Sequence, residues 1–124
     1  MFKIISIGIG GFAGAIGRYL ITDSIHNLFK VSFPLGTLIA NLLGCFLLGF
    51  IYTITLEKQI LNPTLKTGLT TGMLGALTTF STFTYETLVL FENKEPILAL
   101  SNILISVTLG LIMGLAGINI AKFI

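Results

Sequence analysis

The polar side chains that could do chemistry in this sequence are few, mostly uncharged and set within apolar stretches. Asn41 and Asn102 carry amides, Ser106 carries a hydroxyl, and residues 78–82 read Thr-Thr-Phe-Ser-Thr. Amides and hydroxyls can donate hydrogen bonds to an anion, whereas backbone carbonyls freed from a helix can hold a cation. An anion site and a cation site therefore both remain open. A cation path lined by carboxylates is disfavoured, because no Asp or Glu lies near the middle of the first, second or fourth predicted helix.

Two aromatic residues, Phe80 and Phe83, add a further chemical possibility. They are three residues apart and therefore share one face of a helix. An aromatic ring has a positive edge and a negative face, so ring edges turned into a narrow pore could weakly stabilise a small anion. The alternative is that both rings are ordinary lipid-facing or packing residues.

The elements that position these side chains are predicted to be membrane helices. The chain has 124 residues, 54% hydrophobic and 10% charged, and its mean hydropathy is +1.00. A soluble domain carries about 25% charged residues, which excludes a dissolved enzyme. Four apolar spans of about 20 residues fit the length. We expect one all-α domain with spans at 4–20, 33–56, 65–91 and 97–121.

Several other functional classes are disfavoured by what the sequence contains. The net charge of +2 is spread thinly, without the basic cluster that typically binds nucleic acid. A single cysteine, Cys45, and a single histidine, His26, cannot build a disulfide framework or a Cys/His metal cluster within one chain. We therefore expect neither a nucleic-acid partner nor an enzyme.

The third span is predicted to be a broken helix. Residues 68–85 contain three glycines and many hydroxyls but few strong helix formers. An interruption is expected between Gly75 and Thr79. Broken backbone at membrane depth is tolerated only where its N–H and C=O groups meet protein, water or an ion.

Pairs of small residues four positions apart recur along the predicted helices. This spacing lets membrane helices approach closely, and since four helices can hardly enclose a polar path, small residues on so many faces favour at least a dimer. The glycine-rich start is a poor signal-peptide core, so we expect it to remain as the first helix. The pairs are Gly10 and Gly14, Ala13 and Gly17, Ala40 and Gly44, Gly68 and Gly72, and Gly110 and Gly114.

Basic residues are almost evenly divided between the two predicted sides of the membrane. The side of the termini carries four, and the opposite side carries three. A bias of one charge is a weak orientation signal, which predicts a chain that inserts both ways up. The alternative is that one residue, such as Lys3, decides the orientation. The two sets are Lys3, Lys58, Lys66 and Lys122, and Arg18, Lys30 and Lys94.

Three motifs together resemble the small Fluc (CrcB-type) fluoride channels, over essentially the full length. They are Gly-Gly-Phe-Ala-Gly-Ala-Ile-Gly-Arg-Tyr at 10–19, Gly-Thr-Leu-Ile-Ala-Asn-Leu-Leu-Gly at 36–44, and Gly-Met-Leu-Gly-Ala-Leu-Thr-Thr-Phe-Ser-Thr-Phe at 72–83. The resemblance implies an antiparallel, dual-topology homodimer with two fluoride pathways. It also implies a central, structural sodium ion that is not transported.

The resemblance further implies roles for individual residues. Arg18 is similar to the cationic residue of the aqueous vestibule, and the backbone carbonyls of Gly75 and Thr78 to those that hold sodium. Asn102 stands where many members carry tyrosine, and the resemblance assigns no role to Glu86. The implied fluoride pathway comprises Asn41, Thr79, Phe80, Phe83 and Ser106.

The expected function is passive, selective export of fluoride across the cell membrane by a multi-pass channel. Fluoride enters cells as neutral HF and dissociates at neutral pH. One alternative is a proton-coupled exporter of the small multidrug type, but such carriers have a glutamate in the first helix and this chain has none there. The other is a membrane scaffold subunit without transport.

Overall fold

The computed structural model describes residues 1–58 and 61–124, and this part of the chain folds almost entirely as helix. The side chain of Lys58, one of the counted basic residues, lies outside what is described. The elements are α1 (Phe2–Leu28), α2 (Leu35–Lys58), α3 (Pro63–Thr67), a π-helix (Gly68–Leu74), α4 (Gly75–Leu77), α5 (Phe80–Glu92) and α6 (Pro96–Phe123).

Within the described residues, α1, α2 and α6 are long and apolar enough to cross a membrane. The segment from α3 to α5 is bent by the interruption between α4 and α5. Large apolar side chains cover the outer surface, among them Ile9, Leu104 and Leu111, each about two-thirds exposed. The prediction of an all-helical membrane protein is confirmed at this level, whereas the antiparallel dimer stays a prediction.

The four helical segments alternate in direction along the chain. α1 runs parallel to the π-helix, because Gly10 contacts Gly68 while Gly14 contacts Met73. α2 and α6 run parallel as well, since Gly110 contacts Cys45 while Gly114 contacts Gly49. Both termini therefore lie at the same end of the bundle.

The glycine stripes of α1 and the π-helix face each other. A Cβ atom at Gly10 would collide with the Gly68 carbonyl, and one at Gly14 with the Met73 carbonyl. From the other side, a Cβ at Gly72 would lie 2.6 Å from the Ile7 carbonyl oxygen. Backbones this close are possible only without side chains, so glycine at these positions sets the distance between the two helices.

The break in the third segment falls at Thr78 and Thr79, within the range predicted from the sequence. Both residues are extended, with φ and ψ of −84° and 152° at Thr78 and −150° and 119° at Thr79. The Thr79 hydroxyl then accepts from the Thr82 N–H at 3.2 Å and caps α5. The helix persists through Gly75 to Leu77, so only the end of the predicted range is non-helical.

Candidate ion pathway

A cavity of about 360 Å³ lies beside the break, between α2, the third segment and α6. It brings together residues from three stretches of sequence, 41–48, 70–83 and 106–107. No Asp, Glu, Lys or Arg is among the described residues that line it. The lining includes seven residues singled out from the sequence, namely Asn41, Gly75, Thr78, Thr79, Phe80, Phe83 and Ser106.

The side chain of Asn41 bridges α2 to the backbone of the break. Its Oδ1 accepts from the Thr79 N–H at 2.8 Å, and its Nδ2 donates to the Thr79 carbonyl at 3.2 Å. Polar backbone at membrane depth needs such partners, so Asn41 fixes the extended backbone at the break. An amide nitrogen has two hydrogens, and the second one is left over for another acceptor.

The same interruption separates two carbonyl groups from their helical partners. In a continuous helix the Gly75 carbonyl would accept from the Thr79 N–H, but that group donates to Asn41. The Thr78 carbonyl would accept from the Thr82 N–H, which donates to the Thr79 hydroxyl instead. Carbonyl oxygens suit a hard cation such as sodium, and Gly75 and Thr78 both line the cavity. The donor set present therefore fits the implied ion.

The two aromatic rings lie next to each other at the start of α5. Their centroids are 5.8 Å apart and the ring planes are inclined by 42°. Phe83 is half-buried, whereas Phe80 is 80% exposed although it lines the cavity. A large apolar side chain exposed beside this cavity is available for contact with lipid or with another chain.

Ser106 reaches the cavity from α6 and is linked to a buried amide behind it. Its hydroxyl donates to Oδ1 of Asn102 at 3.3 Å, and Nδ2 of Asn102 donates to the Thr87 hydroxyl at 2.9 Å. Thr87 in turn donates to the Phe83 carbonyl at 2.7 Å. These bonds connect α6 to α5 on the side of the cavity.

Two other residues discussed from the sequence lie elsewhere. Arg18 is half-buried on α1 and does not line the cavity, so its vestibule role stays a prediction. Glu86 lines a second cavity, of about 900 Å³, near the turn between α1 and α2. Its Oε1 accepts from the Thr37 hydroxyl at 2.8 Å, and its buried Oε2 has no hydrogen-bond partner among the described residues.

Sequence reasoning did not single out Thr87 or place Cys45 beside the cavity. Cys45 lines the cavity one residue after Gly44. Thr87 follows Phe83 by four residues and so shares its helix face, which is the signal that could have identified it. Its partner Asn102 could not be assigned from spacing, because the two residues belong to different helices.

Comparison with known proteins gives matches along nearly the whole chain. Residues 5–118 match the family described as CrcB-like protein, Camphor Resistance (CrcB). A Moorella thermoacetica protein named fluoride-specific ion channel FluC 1 is 50% identical over 116 residues, which cover 94% of this chain and 83% of that relative. Proteins named fluoride-specific ion channel FluC from Geotalea daltonii and Dehalococcoides mccartyi are 41% and 47% identical, over 100% and 94% of this chain and 100% and 90% of each relative.

These matches confirm the resemblance noted from the three motifs. Together with the apolar helices α1, α2 and α6, they identify a multi-pass protein of the cell membrane. The chain belongs to the CrcB family.

Proposed function

We propose that this protein is a fluoride-specific channel through which fluoride leaves the cell passively. The observation that carries the proposal is the cavity in which Asn41, Phe83 and Ser106 converge with no charged residue among its described lining. Fluoride is compact and strongly hydrated, so it needs small donors such as amide N–H and hydroxyl O–H groups in place of water. The names of the relatives agree with this proposal.

The aromatic pair supports selectivity in the same pathway. Ring edges offer weak, readily exchanged stabilisation, which suits conduction because an ion must leave as easily as it enters. Chloride is larger than fluoride, and a narrow box bounded by Phe80 and Phe83 excludes it by size. No covalent chemistry takes part in this mechanism.

The working unit in this proposal is an antiparallel homodimer. Phe80 is 80% exposed on the single chain, and a second copy would cover it and enclose the cavity. Opposite orientations are consistent with the count of four basic residues against three. A symmetric pair then has two equivalent pathways.

A structural sodium ion completes the proposal. The carbonyls of Gly75 and Thr78 from both copies would hold it, and its charge would relieve the repulsion between carbonyls that face one another. We expect fluoride efflux to fall when sodium is replaced by a large organic cation during purification and assay. Unchanged efflux and unchanged dimer stability would exclude this ion.

Fluoride efflux from liposomes that contain the purified protein tests the channel directly. We expect wild-type liposomes to lose fluoride rapidly with or without a proton gradient. Phe80→Ile should slow efflux by about tenfold or more, equivalent to about 1.4 kcal/mol of barrier. Phe123→Ile is the matched control, because Phe123 is exposed at the far end of α6.

Three other outcomes would contradict the proposal. Efflux that requires a proton gradient would indicate a carrier of the small multidrug type. Folded wild-type protein in liposomes that retain their fluoride would favour a scaffold subunit. Equal efflux by Phe80→Ile and wild type would show that the aromatic pair does not take part in conduction.

A further inference from the structure

Asn102 is a fully enclosed polar side chain that the proposed pathway does not use directly. It is 1% exposed, and its neighbours on α6 are mostly apolar. It does not line the cavity of about 360 Å³, although Ser106, one turn later, does. An amide in apolar surroundings costs several kcal/mol unless its hydrogen bonds are made, so the bonds that it makes explain how it is accommodated here.

The two ends of the Asn102 amide bind different helices. Oδ1 accepts from the Ser106 hydroxyl at 3.3 Å on its own helix, α6. Nδ2 donates to the Thr87 hydroxyl at 2.9 Å on α5, and Thr87 donates onward to the Phe83 carbonyl at 2.7 Å. A continuous run of hydrogen bonds therefore joins Ser106 to Phe83, and both residues line the cavity.

The direction of these bonds also matters for an anion. A serine hydroxyl has a single hydrogen, and here that hydrogen is donated to Asn102. To donate to an anion in the cavity, the hydroxyl must turn away from Oδ1. The Ser106–Asn102 distance of 3.3 Å is long for an O–H···O bond, so little free energy is lost when the hydroxyl gives up this bond to donate to an anion.

We propose that Asn102 is a positioning residue of the pathway. It holds the Ser106 hydroxyl in a weak hydrogen bond that the hydroxyl can give up to fluoride, and it fixes Phe83 in place through Thr87. This inference rests on the proposed function. Asn102 acts through the two lining residues and does not itself touch the ion. The part of its effect that acts through Ser106 must therefore disappear when that hydroxyl is removed, whereas the part that acts through Thr87 remains.

The first test compares Asn102→Leu, Ser106→Ala and the double variant in liposome efflux at a series of fluoride concentrations. Asn102→Leu should raise the half-saturating fluoride concentration by about tenfold, as expected when positioned hydrogen bonds are lost. The double variant should raise it by less than the product of the two single effects, because coupled residues are not additive. A purely structural defect would lower the number of active channels without changing the half-saturating concentration.

The second test uses a matched pair of threonines on α5. Thr87→Val removes the link between Asn102 and the Phe83 carbonyl while keeping the side-chain shape. Thr84→Val makes the same chemical change at an exposed residue whose hydroxyl donates to the Phe80 carbonyl of its own helix, at 2.9 Å, and to no other helix among the described residues. Thr87→Val should shift the half-saturating concentration and Thr84→Val should not, and this comparison is independent of how well Asn102→Leu folds.

The outcomes separate this inference from the proposed function. If Asn102→Leu and Thr87→Val keep the efflux rate and the half-saturating fluoride concentration of the wild type, the inference is overturned but the proposed function is not. Effects of Asn102→Leu and Ser106→Ala that add in the double variant would also overturn it. Wild-type liposomes that retain fluoride would overturn the proposed function and the inference with it.

Discussion

Asn41 replaces, with its side chain, the backbone partner that the Thr79 N–H would have in a continuous helix. Both its oxygen and its nitrogen bond Thr79, at 2.8 and 3.2 Å. Without that amide, the Thr79 N–H would be left without this partner at membrane depth, where an unpaired backbone group is costly. The break is therefore a specified conformation and not a locally unfolded stretch.

Replacing Asn41 should destabilise the fold in addition to any effect on fluoride. We expect Asn41→Ala to lower the free energy of unfolding by about 1–3 kcal/mol, since the buried Thr79 N–H loses its partner. Unfolding by a denaturing detergent, followed by circular dichroism, measures this. Asn119→Ala is the control, because Asn119 is exposed on α6, and equal stability of the two variants would contradict this account of the break.

At the scale of elements, the packing of α1 on the π-helix depends on the absence of side chains. Gly14 meets the Met73 carbonyl so closely that a Cβ has no room, whereas a Cβ at Gly8 would meet nothing within 4 Å. Both glycines lie in α1 and have the same intrinsic cost in a helix. They differ only in what lies opposite them.

This difference predicts opposite consequences for the same substitution. Gly14→Ala should push α1 away from the π-helix and cost about 1–3 kcal/mol, the usual range for overpacking. Gly8→Ala should be neutral or stabilise by up to about 1 kcal/mol, because alanine is the better helix former. Detergent-induced unfolding of both variants provides the comparison. Equal destabilisation by the two would show that helix propensity, and not the close contact, governs this region.

The helices and the break could be predicted from the sequence, whereas the contacts between the helices could not. The glycine and hydroxyl content of residues 68–85 predicted an interruption where Thr78 and Thr79 are extended. The bridge from Asn41 to Thr79 spans 38 residues, and no local pattern reports such a pairing. Hydrogen bonds between helices depend on how the helices pack, and spacing along one helix does not determine that.

At the scale of the whole molecule, insertion into the membrane is governed by very few charges. Seven Lys and Arg residues are divided four to three between the two ends of the bundle. Orientation follows the difference between the ends and not the total. A change of two residues is thus large compared with the existing bias.

Removing two basic residues from one end should fix the orientation. Lys30→Gln with Lys94→Gln leaves one basic residue against four, so the termini should face the cytoplasm in nearly all chains. Lys3→Gln with Lys122→Gln leaves two against three and serves as the control with the same number of changes. Reporter fusions at the C-terminus measure orientation, and fluoride efflux measures function.

If the antiparallel dimer is the working unit, the variant with Lys30→Gln and Lys94→Gln should lose fluoride efflux. Efflux should recover when this variant is coexpressed with a chain whose charges favour the opposite orientation. Full efflux from chains that are all oriented alike would rule out the antiparallel arrangement. Wild-type chains in a single orientation would instead indicate that one residue, such as Lys3, decides insertion.

The extended residues Thr78 and Thr79 have an electrical consequence for the centre of the bundle. The carbonyl-rich end of the helical run 63–77 and the amide-rich end of α5 meet there, and helix ends carry partial charges of about half an elementary charge, negative and positive respectively. A single interruption thus creates adjacent poles of opposite sign in a region of low dielectric constant. In the proposed channel, these poles would favour a cation and an anion at neighbouring places, although no ionised side chain is among the described residues lining the cavity.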